Sequence, residues 1–273
     1  DGRRASWRAW RIPKSICMEP NGADYGWTKG FMESMADSEK HMHGFSLHYY
    51  CAFAGDPVAF SRDEWYQQLQ QALWMEDILK RHWSIIEGYG MQAWSKLVVD
   101  EWGCWHPDGS GPSRGFNLFE QQCTMRDAMV SALTLNIFNN HCDKIMMANV
   151  AQLVNNLHAL FLAGGKDCIV TPTYYVFDMY KGHQGATAIR TAVKQQKVAF
   201  TDKQGREAGI DNLSVSASYK CGSVTITIAN LSAEEDSRLL LTPVGRQFCD
   251  VAKMQVLAEE DYHAHNTFEE PER

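Results

Sequence analysis

Along the first two-thirds of the chain, short apolar runs alternate with longer stretches in which apolar residues return every three or four positions. Four runs read as strands, at residues 15–18, 45–50, 97–102 and 145–150. Short runs rich in β-branched and aromatic residues suit strands buried on both faces. Helical stripes lie between and after them. In residues 65–87 the stripe is Ala72, Met75, Leu79 and Ile86; in 123–138 it is Met125, Met129, Leu133 and Asn136; in 150–162 it is Val150, Leu153, Leu157 and Leu160. Strand followed by helix, four times over, predicts parallel strands with helical crossovers: a small open sheet, or half of an eightfold barrel.

The last hundred residues change period. Leu213, Val215, Ala217 and Tyr219 alternate with polar residues, residues 220–223 read as a turn, and Val224, Ile226 and Ile228 alternate again. This predicts a hairpin with one buried face. Residues 239–241 and 254–257 look like further strands, and Gly164, Gly165 and Lys166 mark a boundary after the last helical pattern. The expected organisation is an α/β part over residues 1–165 and an all-β part over residues 166–273.

Chemistry in parallel α/β folds gathers at the carboxyl ends of strands. The second run ends in His48, Tyr49 and Tyr50; the third in Asp100, Glu101 and Trp102, with Trp105 close behind; the fourth leads to Asn149 and to Gln152, placed in a helical first turn. Carboxylate, imidazole, phenol, amide and indole together suit a neutral, hydroxyl-rich ligand whose ring face stacks on an aromatic plane. The glycine-rich stretch 109–115 lacks the Gly-Lys-Ser/Thr of a phosphate loop and reads as a substrate-side loop. His41 with His43, and His263 with His265, have no third ligand at metal-site spacing and read as loop histidines.

Composition narrows the classes. With 26 basic and 33 acidic residues and a net charge of −7, the chain has no basic footprint for nucleic acid. It holds no 18-residue apolar stretch, so no membrane-spanning helix is expected. Eight cysteines without a C-x-x-C pair read as free thiols of a reducing, cytoplasmic compartment. No cofactor or metal is implied.

Residues 21–32 (NGADYGWTKGFM), 45–50 (FSLHYY), 98–105 (VVDEWGCW), 126–155, 171–186 and 263–272 resemble, in order, the glycoside hydrolase family 51 α-L-arabinofuranosidases. The resemblance implies the second half of a (β/α)8 TIM barrel, strands 5–8, followed by a C-terminal antiparallel β-sandwich. It also implies release of terminal arabinofuranosyl groups from arabinan- or arabinoxylan-type chains with retention, and frequent homo-oligomers. On it, Glu101 matches the nucleophile on the seventh barrel strand. Tyr50 matches the tyrosine that hydrogen-bonds the nucleophile, with Tyr49 the alternative. Trp105 matches an indole beside the sugar, Gln152 an amide contacting arabinose, and His48 a wall residue. Another retaining barrel glycosidase, or a catalytically dead carbohydrate-binding protein, would keep the same pocket.

The family's acid/base glutamate sits in an Asn-Glu motif at the end of the fourth strand, and Asn-Glu does not occur in these 273 residues. The chain starts at Asp1 rather than Met, and the resemblance implies truncation at both ends. A segment lacking that acid is expected to be inactive alone. Met18, Glu19 and Pro20 depart from the family's glycine before the proline, and Glu19 is given no catalytic role.

Overall fold

The computed structural model describes residues 16–17, 21–36, 42–52, 54–107, 111–112, 119–245, 247, 250–251 and 253–272. The Glu19 loop, His41 and most of the glycine-rich stretch 109–115 lie outside them. Its α/β part is built on a parallel sheet in the order β1 (Ile16–Cys17), β2 (Gly44–Ala52), β3 (Lys96–Trp105), β4 (Ile145–Val150). The four expected strands are all present, and among the described residues the sheet does not close into a barrel.

Helices α1 (Tyr25–Met35), α2 (Arg62–Gly88) and α3 (Met125–Asn140) supply the crossovers. Ser61 opens α2 with a reciprocal cap to Glu64, and Thr124 opens α3 with one to Asp127. The sheet face carrying Phe45, Leu47, Leu97, Val99 and Trp102 packs on Met75, Leu79 and Ile86 of α2 and on Ile137 and Phe138 of α3. The stripe read along α2 is therefore the one it buries.

The first turn of α3 is the densest polar knot. Arg126, fully buried, donates from Nη1 to Ala54 O (2.7 Å) and from Nη2 to Asp56 O (3.1 Å), with Phe60 stacked 3.7 Å from its guanidinium carbon. Asp127 accepts the Thr124 N–H at Oδ2 (2.7 Å), and its Oδ1 lies 2.8 Å from His106 Nε2. Burial alone would raise the Asp127 carboxyl. The charge and hydrogen bond of His106, with the fields of His158 and Arg126, outweigh it and hold the group below the usual carboxylate range.

Two expectations are corrected. Residues 150–162 are not a helix but an irregular loop leading into β5 (Phe161–Gly164), which pairs with β6 (Asp167–Val170). The leucine spacing was real, since Leu157 and Leu160 are buried, but Asn155 (φ 55°) and Leu157 (φ 51°) adopt left-handed backbone that ends any helix. Gly165 and Lys166 form the turn of this hairpin, and α4 (Pro172–Tyr180) follows, packed against α3. Finally, residues 239–241 and 254–257 form no strand and lie mostly exposed, with Leu240 at 91%.

The predicted hairpin is present as β10 (Leu213–Lys220) and β11 (Ser223–Asn230), with β7 (Thr187–Ile189) on its edge. Its buried face is the hydroxyl one. Ser216 Oγ donates to Asn136 Oδ1 (2.8 Å), as does Thr227 Oγ1 (2.8 Å), and His183 lies within hydrogen-bond distance of Ser218 (2.8 Å) and Thr227 (3.1 Å). Tyr219, Val224 and Ile228 are left exposed on the other face. A second hairpin, β8 (Lys197–Thr201) with β9 (Glu207–Asp211), seats Phe200 and Ile210 on Tyr66 and Leu69 of α2. Trp65 Nε1 donates to Leu231 O at 3.1 Å, fastening this sheet-rich, sandwich-like part to the α/β layer. No helix among the described residues is long and apolar enough to cross a membrane.

Two predictions follow from these buried polar groups. Removing Asp127 strands His106 and the Thr124 amide, so Asp127→Ala lowers the unfolding free energy of the protein by about 3–5 kcal/mol, against about 1 kcal/mol for Thr124→Ala. Denaturant unfolding measures both; equal losses refute the knot's special weight. Burial holds His158 and His183 at about 4, against the ordinary 6.5. Between those values the unfolded chain binds protons that the folded one refuses. Stability is therefore full above pH 6.5 and falls toward pH 4, by about 1.4 kcal/mol per pH unit per group. His183→Gln, which can still reach both hydroxyls, should flatten about half of that fall in pH-dependent unfolding; an unchanged slope contradicts it.

Candidate active site

The site is made by one extra residue in β3. Against β2 the register runs Val99 with Leu47, then Glu101 with His48; against β4 it runs Val99 with Ala148, then Trp102 with Val150. Asp100 is the unmatched position, a β-bulge. Val99 and Trp102, three residues apart, therefore both face the helices, and the consecutive carboxylates of Asp100 and Glu101 reach the same neighbour. That neighbour is His48: its Nε2 lies 3.1 Å from Asp100 Oδ1 and its Nδ1 3.4 Å from Glu101 Oε2.

Tyr50, two residues further along β2 and so on the same face, donates from its hydroxyl to Glu101 Oε2 at 2.8 Å. Ser46, two residues earlier, donates to Asp100 Oδ1 at 2.6 Å. Both contacts to Glu101 fall on Oε2. The carboxylate is 39% exposed, open enough to meet a ligand yet already oriented. Trp105 adjoins the group, with its ring edge-on to Tyr50 at 5.1 Å.

Tyr49 does not join this group. Strand alternation turns it to the helix side, where its hydroxyl donates to Gln71 O at 2.8 Å and burial pushes the phenol up. Of the two tyrosines, it is thus Tyr50 whose hydroxyl meets Glu101. Gln152 lies at the same end of the sheet, but in the irregular loop after β4 rather than in a helical turn. Its Oε1 accepts from Asn156 Nδ2 at 3.0 Å.

Asp100, read from the sequence only as a strand-end acid, holds His48 and is itself held by Ser46, to which nothing in the sequence pointed. Fully buried His158 accepts the Cys104 N–H at Nδ1 (2.8 Å), and its Nε2 lies 2.8 Å from Ser131 Oγ, bracing the strand end that carries Trp105. Gly103 (φ 145°) is required there, because a Cβ would stand 2.5 Å from the His158 Cβ.

Cys104, His106 and Asp127 bring three donor atoms within 4.8 Å of one another, all buried. Their chemistry is that of a strut rather than a cation site. The charge of Asp127 is balanced by buried Arg126, and burial pushes the Cys104 thiol well up, away from the thiolate a soft metal needs. His263 Nε2 lies 2.8 Å from Phe60 O and ties down the C-terminal segment, while His265 Nδ1 lies 2.8 Å from His263 O within that segment. Among the described cysteines, Cys51, Cys104, Cys123, Cys142, Cys168 and Cys221 are free thiols.

Comparison with known proteins gives the geometry a lineage. Residues 100–273 match the α-L-arabinofuranosidase C-terminal domain. Over 254 residues the chain is 34% identical to an intracellular exo-α-L-arabinofuranosidase of Bacteroides ovatus, covering 91% of this chain and 48% of that protein. The crystal structure of the family 51 arabinofuranosidase from Xanthomonas axonopodis pv. citri superposes with a TM-score of 0.76 at 30% identity, covering 94% of this chain and 51% of that one. A family 51 α-L-arabinofuranosidase from Bifidobacterium longum, at 19% identity, shares the fold with a TM-score of 0.78, over 94% of this chain and 53% of its own. The chain thus spans about half the length of these relatives. It belongs to the glycoside hydrolase family 51 α-L-arabinofuranosidases.

Proposed function

We propose that the protein releases terminal, non-reducing α-L-arabinofuranosyl groups from arabinose-containing oligo- or polysaccharides by a retaining mechanism, with Glu101 as the nucleophile. The observation that carries this reading is the clamp on Glu101 Oε2 by the Tyr50 hydroxyl (2.8 Å) and the His48 ring (3.4 Å). A carboxylate held by one oxygen presents the other. Oε1 attacks the anomeric carbon, the bond to the leaving oxygen breaks, and an arabinosyl ester forms on Glu101; water then cleaves the ester and frees the carboxylate. Tyr50 and His48 keep the carboxylate oriented for both steps. Trp105 covers the apolar face of the furanose, and the amide of Gln152 serves its hydroxyls once turned from Asn156.

Such a mechanism needs a second carboxyl group about 5–5.5 Å away to protonate the leaving oxygen. The neighbouring acid, Asp100, is engaged by Ser46 and His48. We therefore assign the acid/base role to a glutamate outside these 273 residues, in the remaining length that the relatives possess. On that reading the isolated 273 residues lack general-acid help, worth about 10²–10⁴ in rate, and are inactive on ordinary arabinosides. The relatives from Bacteroides ovatus and Streptomyces lividans are both named intracellular. An intracellular site of action agrees with the free thiols described above.

The test is made on the full-length gene product. Glu101→Ala should abolish turnover of an aryl arabinofuranoside, and added azide should restore consumption, giving an arabinosyl azide of inverted anomeric configuration. Undiminished activity, or an azide product of retained configuration, sinks the assignment. Tyr50→Phe removes one hydrogen bond to a charged group, worth about 1.5–3 kcal/mol, so kcat/KM should fall about 10–100-fold. A change under twofold would mean that the Tyr50 contact does not serve the reaction.

A further inference from the structure

The aromatic rings do not stop at Trp105. Beyond it stands Phe119, met edge-on with centroids 5.5 Å apart and planes at 87°, and 45% exposed. Its backbone is fixed on both sides of the site. Phe119 O accepts the Leu157 N–H (2.7 Å) from the loop after β4. Buried Gln121, two residues on, accepts the His106 N–H (2.8 Å) and donates to Cys104 O (3.0 Å) at the end of β3. A scattered exposed phenylalanine is ordinary. This one is held in place against the Trp105 indole.

Glu101, Tyr50, Trp105 and Phe119 form a chain of contacts, from carboxylate to phenol at 2.8 Å and then through two edge-on ring contacts of 5.1 and 5.5 Å. On the reading above, a furanose whose anomeric carbon meets Glu101 lies against Trp105, and Phe119 is left for the next residue of a chain. We propose that Phe119 is a stacking platform for the second sugar, the one left behind when the terminal arabinose departs, and that it selects arabinose chains over single arabinosides. The proposal rests on the enzymatic reading above. The chemistry is the contact of a sugar's C–H face with an aromatic plane, in a site whose polar groups are few and placed.

The experiment uses full-length protein carrying Glu101→Gln, which binds without turnover, and calorimetric titration with L-arabinose and with arabinotriose. Adding Phe119→Ala should weaken arabinotriose about tenfold, equivalent to about 1.4 kcal/mol, and leave arabinose unchanged. Phe119→Trp, which keeps a platform, should retain trisaccharide affinity. Unchanged trisaccharide affinity in Phe119→Ala overturns the platform alone. Equal weakening of both sugars overturns it too, because Phe119 would then act only by propping Trp105. If the Glu101→Gln protein binds neither sugar, the enzymatic reading fails first, and the platform with it.

Discussion

Everything at the carboxyl end of the sheet hangs on the first turn of α3. Arg126 reaches back to the carbonyls of Ala54 and Asp56 after β2, Asp127 holds His106 just past β3, and Ser131, one turn on, meets the histidine that braces Cys104. The Met125 amide donates to Ala264 O, so the C-terminal segment is tied to the same turn. Placing opposite charges side by side in the interior, as Arg126 and Asp127 are, seldom adds net stability over an apolar pair, because desolvation offsets the attraction. Its value here is geometric: each partner is satisfied by a different strand-end loop. The loops that carry the site cannot drift independently without leaving a buried charge unpaired.

The second constraint is the bulge at Asp100. A regular strand would send Asp100 and Glu101 to opposite faces, one of them into the helix layer at large desolvation cost. The extra residue lets both turn toward His48 while Trp102 still fills the core against Phe138 and Phe177. Bulges recur beside active sites because they re-aim a side chain without altering the rest of the ladder. The alternation along β2 is regular, which is why Tyr50 serves Glu101 while Tyr49, one residue earlier, serves α2.

This contrast marks what the sequence makes legible. The four parallel strands, the buried stripe of α2 and the hairpin at residues 213–230 follow from periodicity, because burial of apolar surface dictates them. Where polar partners decide, periodicity misleads. The hairpin alternates cleanly, yet it buries Ser216, Ser218 and Thr227 because Asn136 and His183 wait beneath with matching donors and acceptors. Residues 150–162 repeat leucine at helical spacing and still form a loop, because the turns at Asn155 and Leu157 bring Leu157 and Leu160 inward by another route. The runs at 239–241 and 254–257 carry strand composition, but among the described residues no neighbouring strand pairs with them. Glu101 and Trp105 were visible as chemistry at a strand end; Asp100 and Ser46 act through His48, a relation that only register reveals.

The openness of Glu101 has a consequence for how such a site works. A carboxylate 39% exposed sits in a high dielectric, where its contacts to Tyr50 and His48 are weakened by water. These contacts gain strength only when something covers them, and on the proposed reading the arriving sugar is that cover. Substrate binding would then do two things at once: present the anomeric carbon and dry the contacts that orient the carboxylate. On that reading the Tyr50 hydroxyl is already in place before the sugar arrives, so little reorganisation is left for the moment of attack, which is where a preorganised hydrogen bond lowers a barrier most.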